Sequence, residues 1–202
     1  VDQLRAIRSQ LKLRWFDKSA GHAMLAIVGA DRAEGGSYLA ANLAIVFAQM
    51  GESTLLIDAD MRSPRQHTLF QLNNQLGFSS LLAGRSDVAS ALHTIQFIPK
   101  LQVLTAGPIP PNPLELLNRD NLTELFEWAG KTYDIVLIDT SSASVGADAM
   151  IVAAKAGAAM TVARANQTKL SAYQELIADL KRSNINIVGS VLNDPPLIDV
   201  VG

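Results

Sequence analysis

Cysteine is absent from the 202-residue sequence, which excludes disulfides and thiolate metal sites. The three histidines, His22, His67 and His93, are scattered and form no ligand pair at short spacing, so each is expected to be a surface or satisfied residue. No apolar run approaches the roughly 18 to 20 residues needed to cross a bilayer. The first residues carry the charges Asp2, Arg5 and Arg8 and lack the apolar block of a signal peptide, which leads to an expectation of a cytoplasmic protein. Excess positive charge is missing too: the formal net charge is −2 and no basic patch stands out, so nucleic acid is not an expected partner. Neither an internal repeat nor a low-complexity tail interrupts the chain. With 49% hydrophobic and 18% charged residues, the length suits one sizeable α/β domain and is short for two.

The stretch from Ile27 to Tyr38 is the most telling one. An apolar run, Met24 to Val28, ends in a small-residue loop, and a helical segment, Leu39 to Ala48, follows at once. In a strand-loop-helix unit the loop N–H groups and the helix N-terminus face the same space, which suits a phosphate chain. The Walker A pattern is Gly or Ala, four residues, then Gly-Lys-Ser/Thr. Ala30, Gly35 and Ser37 fit it, and Gly36 stands where the lysine belongs. Ser37 retains a hydroxyl for a magnesium ion, and the backbone retains its donors, but the cation that balances β- and γ-phosphate charge is gone. A glycine-rich strand-to-helix turn with no ligand is the alternative reading of the loop alone.

Two further strands strengthen the nucleotide reading. Thr54 to Ile57 is a short apolar run that delivers Asp58 and Asp60 to its C-terminal end, and Ile135 to Ile138 delivers Asp139 in the manner of a Walker B strand. Ligand sites in open α/β sheets lie beyond the carboxyl ends of strands, so these acids are candidates for magnesium coordination or proton abstraction. The alternative is that an acid there caps a helix or turn. Elsewhere, the spacing predicts an amphipathic helix over 1–15, with Leu4, Ile7 and Leu11 on one stripe and Arg5, Arg8 and Lys12 on the next. It predicts a helix stop at Gly51, a strand over 101–105, a short helix after Pro111, and a helix over 121–128 closed by Gly130. Helices over 148–156 and 169–183 alternate with strands over 159–163 and 187–192, with Asn193 and Asp194 at the ligand edge. Residues 62–113, punctuated by proline and glycine, read as surface elaboration with one strand. The expected fold is a doubly wound, mainly parallel sheet flanked by helices.

The segment Leu55 to Pro64, LLIDADMRSP, resembles the Walker A′ strand of the bacterial tyrosine kinases that regulate capsule and exopolysaccharide export, most of all the exopolysaccharide chain-length-determinant kinases. Tyr38 to Ala44, Pro111 to Leu117, Val136 to Thr140 and Val191 to Asn193 resemble signatures of the same family, and the similarity covers nearly the whole chain. Asp2-x-x-Arg5-x-x-Arg8 resembles its N-terminal oligomerisation motif, with Asp in place of Glu. The resemblance implies one P-loop kinase-like domain over 1–202, with 1–17 as an oligomerisation helix. It implies ATP and Mg2+ as cofactors, with Ser37 and Asp58 on the metal and Asp139 ordering it through water. Asp60 would bind the metal or prepare the tyrosine hydroxyl; Ala33, Glu34, Gly35, Gly36, Ser37 and Tyr38 would surround the phosphates, and Asn193 would meet adenine. The implied partners are further copies of the chain in a ring, an inner-membrane chain-length determinant that holds the protein beside the membrane, and protein tyrosine substrates.

Three departures qualify the resemblance. Gly36 stands where the family has lysine or, in some relatives, arginine, a loss on the order of 10² in rate or more, for which Arg32 or Arg62 would be a partial substitute. Ala33 replaces a usual glycine, so the loop is expected to reach positive φ less readily. The only tyrosines are Tyr38, Tyr133 and Tyr173, so these 202 residues carry no C-terminal cluster for autophosphorylation. A pseudokinase that binds its membrane partner without catalysis is therefore the main rival reading. A partitioning-type ATPase is a third, against which Gly29 to Asp31 lack the lysine such proteins carry early in the loop.

Overall fold

The computed structural model describes residues 2–193. Its strands are β1 (Met24–Gly29), β2 (Thr54–Asp58), β3 (Leu92–Thr94), β4 (Leu101–Leu104), β5 (Ile135–Asp139), β6 (Ala158–Arg164) and β7 (Asn186–Asn193). The helices are α1 (Asp2–Arg14), α2 (Gly36–Gln49), α3 (Gln66–Leu69), α4 (Phe78–Leu82), α5 (Val88–Ala91), α6 (Pro113–Leu117), α7 (Asp120–Thr132), α8 (Asp148–Ala156) and α9 (Leu170–Arg182). The strands form one sheet in the order β3-β4-β2-β5-β1-β6-β7, parallel except for the edge pair β3–β4. Asp194, expected beside Asn193, lies outside the described residues.

The sheet is covered on both faces, which is why its central strands are apolar without alternation. In β5, Ile135 and Leu137 face one layer and Val136 and Ile138 the other, all fully buried. The first layer is built by α1 and α2 through Leu11, Leu43 and Phe47, joined by Phe16 from the segment after α1. The second is built by α4, α6, α7, α8 and α9 through Phe78, Leu117, Phe126, Val152 and Leu180.

The expected strand and helix order holds, with three corrections. Residues 62–113 are not surface elaboration: Gln66, Phe78 and Leu82 are fully buried, and β4 occupies the sheet beside β2. A second strand in that region, β3, was not expected, since three residues paired antiparallel to β4 are too few to show a period. Gly130 does not close α7, which runs on to Thr132; Gly130 keeps a negative φ, and a glycine stops a helix only where it turns left-handed.

Candidate active site

The parallel register brings the carboxyl ends of three central strands to one edge. Asp58 pairs with Asp139 across β2 and β5, and Ile27 pairs with Asp139 across β5 and β1, so the two acids are neighbours beside the loop that leaves β1. Ser37 lies in the first turn of α2, with its side chain close enough to Asp139 to lower that carboxyl's pKa. A cavity of about 410 Å³ opens here between loop residues 31–38 on one wall and Asp60, Arg62 and Arg65 on another. Tyr38 stands at its mouth, 66% exposed.

Long-range contacts shape the loop. Gly35 precedes α2 with φ +88°, and a Cβ there would lie 2.3 Å from Asn193 Nδ2, so glycine is required by both conformation and space. Ala33 also adopts positive φ, at +63°, contrary to the expectation that alanine would resist it. The cost, about 1 to 2 kcal/mol for a left-handed residue, is offset by contacts that hold the loop in place. Arg164 Nη1 donates to the Ala33 carbonyl at 3.1 Å, and Asn193 Nδ2 donates to the Glu34 carbonyl at 3.0 Å. The Glu34 side chain is buried and accepts a hydrogen bond from Thr168 Oγ1 at 2.5 Å. Asn193 thus reaches the loop backbone from the end of β7.

The acids also cap turns, the alternative role considered for them. Asp60 Oδ1 accepts the N–H groups of Arg62 and Ser63 at 3.0 and 2.9 Å. Asp58 Oδ2 accepts those of Arg65 and Gln66 at 3.0 and 2.9 Å. Asp58 and Asp139 are 0% and 1% exposed. Burial raises the Asp58 carboxyl well above the usual carboxylate range, and repulsion from Asp139 adds to it. Burial raises Asp139 to about 7 against the lowering effect of Gln66, which donates a hydrogen bond to it, and of the nearby Ser37 hydroxyl. Two adjacent buried acids with no cationic side chain between them form an arrangement that a divalent cation would relieve. Among the described residues no three acidic or histidine side chains form a closed metal cage. Magnesium is bound in other proteins by one or two carboxylates together with phosphate and water.

The structure brings Ser37, Asp58, Asp60, Asp139 and loop residues 33–38 to one place and sets Asn193 against the loop. Asp2, Arg5 and Arg8 lie apart on α1, where Arg5 pairs with Asp2 at 3.7 Å. Arg62, one of the two expected substitutes for the missing lysine, is engaged elsewhere: its Nε and Nη2 donate to Asp148 Oδ2 and Oδ1 at 2.9 and 3.1 Å. Three participants went unnoticed in the sequence. Asp148 and Thr168 carried no motif, and Gln66, which donates to Asp139 Oδ2 at 2.8 Å, follows Pro64 and Arg65 with nothing to mark it.

A phosphate-type loop at the N-terminus of α2, with acids closing two neighbouring parallel strands, defines a P-loop-like α/β domain. No family model matches the chain. It is 37% identical over 196 residues to the tyrosine-protein kinase YwqD of Bacillus subtilis strain 168, covering 97% of this chain and 81% of YwqD. It is 34% identical over 195 residues to the tyrosine-protein kinase Etk of Escherichia coli K12, covering 96% of this chain. The chain belongs to the bacterial tyrosine-protein kinase family. It spans about a quarter of the length of Etk, 26%. The solved kinase domain of E. coli Etk superposes with a TM-score of 0.89 at 33% identity, over 95% of this chain and 74% of that one. The septum site-determining protein MinD of Pyrococcus horikoshii, solved with Mg-ADP, matches at TM-score 0.73 and 21% identity over 85% of this chain and 70% of MinD, a likeness of fold alone.

Proposed function

We propose that this chain is the catalytic domain of a bacterial tyrosine kinase, transferring the γ-phosphoryl group of ATP to a protein tyrosine. The observation that carries the proposal is the convergence of Ser37, Asp58 and Asp139 beside a loop whose backbone encloses a cavity. Ser37, Asp58 and Asp139 would hold magnesium and its water; the ion supplies charge neutralisation at the phosphates. The loop N–H groups from Ala33 to Tyr38 orient the phosphate chain, and Asn193 borders the adenine side. The tyrosine oxygen attacks the γ-phosphorus in line as the bond to the β–γ bridging oxygen breaks, and ADP carries that oxygen away. Asp60, which lines the cavity, takes the phenolic proton. No covalent enzyme intermediate is involved, and catalysis consists of positioning and charge neutralisation.

The family and its capsule and exopolysaccharide setting support a role in controlling polysaccharide chain length, as a homo-oligomer joined through α1 and Asp2, Arg5 and Arg8. An inner-membrane chain-length determinant is the proposed partner that brings the domain to the membrane. Gly36 favours a second reading, a pseudokinase module acting through its surfaces. A partitioning-type ATPase is supported only by shared fold. The deciding experiment is Mg-ATP-dependent phosphorylation of a random glutamate–tyrosine copolymer by the unaltered chain and by Asp58→Ala. Phosphate transfer that is lost in Asp58→Ala is expected. Equal rates in both would refute the site, and no transfer by either would favour the module.

A further inference from the structure

Asp58 and Asp139 do not open onto the cavity beside the loop. They are sealed from solvent, and one residue contributes to the seal on both. Gln66 is 0% exposed; its backbone N–H donates to Asp58 Oδ2 at 2.9 Å, while its side-chain Nε2 donates to Asp139 Oδ2 at 2.8 Å and to the Ser37 carbonyl at 3.0 Å. Its amide hydrogens therefore lie against an oxygen that a cation would need. The other end of the amide, Oε1, is buried with no hydrogen-bond partner. An unpaired buried acceptor is a standing cost of the closed arrangement, and water reaching Oε1 on opening would remove it. The segment carrying Gln66 is held down by separate ties: the turn capped by Asp60, and the two-pronged Arg62–Asp148 pair that anchors it to α8.

We infer that Gln66 is a latch over the cation site, whose amide must leave Asp139 and Ser37 before a divalent cation can reach the paired carboxylates. This rests on the proposed assignment of Asp58 and Asp139 to the metal. Because the same residue holds both acids, its withdrawal releases a lone pair on each at once. The latch makes cation entry depend on movement of residues 60–66, which also form the cavity wall facing the loop. Cation binding and the shape of the nucleotide cavity are thereby coupled through one short segment.

The test is Mn2+ binding, with the metal alone, by electron paramagnetic resonance on the full chain and on Gln66→Ala and Gln66→Met. Removing the charge-assisted hydrogen bond should tighten Mn2+ binding by about tenfold or more in both variants. Gln66→Met keeps the buried volume and decides the question if Gln66→Ala does not fold. Binding no tighter than in the unaltered chain, or absent in all three, overturns the latch. Combining Gln66→Met with Asp139→Asn separates the two levels. If the double variant keeps the gain, the cation lies elsewhere and the site assignment falls with the latch. If Asp139→Asn alone weakens Mn2+ binding while neither Gln66 variant strengthens it, the assignment stands and the latch falls.

Discussion

Restoring lysine at position 36 is the perturbation that bears most directly on activity. Gly36 is the first residue of α2 and does not have a positive φ; the nearest atom to a Cβ built there is Ile27 Cγ2 at 4.0 Å, an ordinary contact. Gly36→Lys should therefore fold without strain, and lysine is also the better helix former. An ammonium about 4 Å from a phosphate charge gains about 4 kcal/mol at an effective dielectric constant near 20. Ordering the lysine side chain gives back about 2 kcal/mol. The net gain of about 2 kcal/mol corresponds to roughly 30-fold tighter binding.

Calorimetric titration with ATP and excess Mg2+ measures this directly, with Gly36→Met as a control that adds length without charge. Lysine should tighten binding by about that factor and methionine should not. A folded Gly36→Lys chain that binds no more tightly than the parent would refute the electrostatic account. It would mean that another cation at the cavity, Arg32 or Arg65, already supplies the missing charge.

If α1 mediates assembly, the combined Arg5→Ala and Arg8→Ala change should lower the particle mass in light scattering, and an unchanged mass would remove α1 from the interface. The buried acids set the pH dependence of the metal-free protein. Asp139 is raised to about 7 and Asp58 is raised too, so above their unfolded pKa near 3.8 the folded state keeps protons that the unfolded chain has lost. Stability should then fall as pH rises from about 4 toward 7. Thermal melting without metal should occur at a higher temperature at pH 5 than at pH 8, and Asp139→Asn should flatten the trend. A rise toward pH 8 would contradict the sign.

The features legible in the sequence were those set by short-range pattern. Buried parallel strands announce themselves as apolar runs, and Asp58 and Asp139 could be placed at strand ends because each run stops at an acid. What escaped notice depends on contacts between distant parts of the chain. Gln66 meets Asp139 across 73 residues and Arg62 meets Asp148 across 86. No local spacing encodes such pairs. The error at Ala33 has the same origin: its intrinsic preference opposes positive φ, and Arg164, 131 residues away, is among the contacts that override it. Residues 62–113 misled because proline and glycine there punctuate short buried elements, and the same residues punctuate exposed loops elsewhere.

Two adjacent glycines in the loop have opposite meanings. Gly35 is demanded by the fold, because φ +88° and Asn193 leave no room for a side chain. Gly36 is demanded by nothing in the fold, since neither backbone nor space excludes a side chain. The missing lysine is therefore a fact about ligand chemistry alone, and reversing it perturbs no packing. The acids present the converse case. Holding Asp58 and Asp139 side by side in the interior works against the metal-free fold, because burial disfavours both carboxylates and Asp139 repels Asp58. The magnesium ion proposed for this site would offset that cost. On the proposed reading, the metal side keeps its carboxylates at a cost in stability, while the phosphate side lacks one cation that the backbone could still accommodate. Under the proposed function, that asymmetry fits a kinase of reduced activity. A module without nucleotide would keep Asp58 only for its bonds from the Arg65 and Gln66 N–H groups, and loss of phosphate transfer in Asp58→Ala separates the two readings.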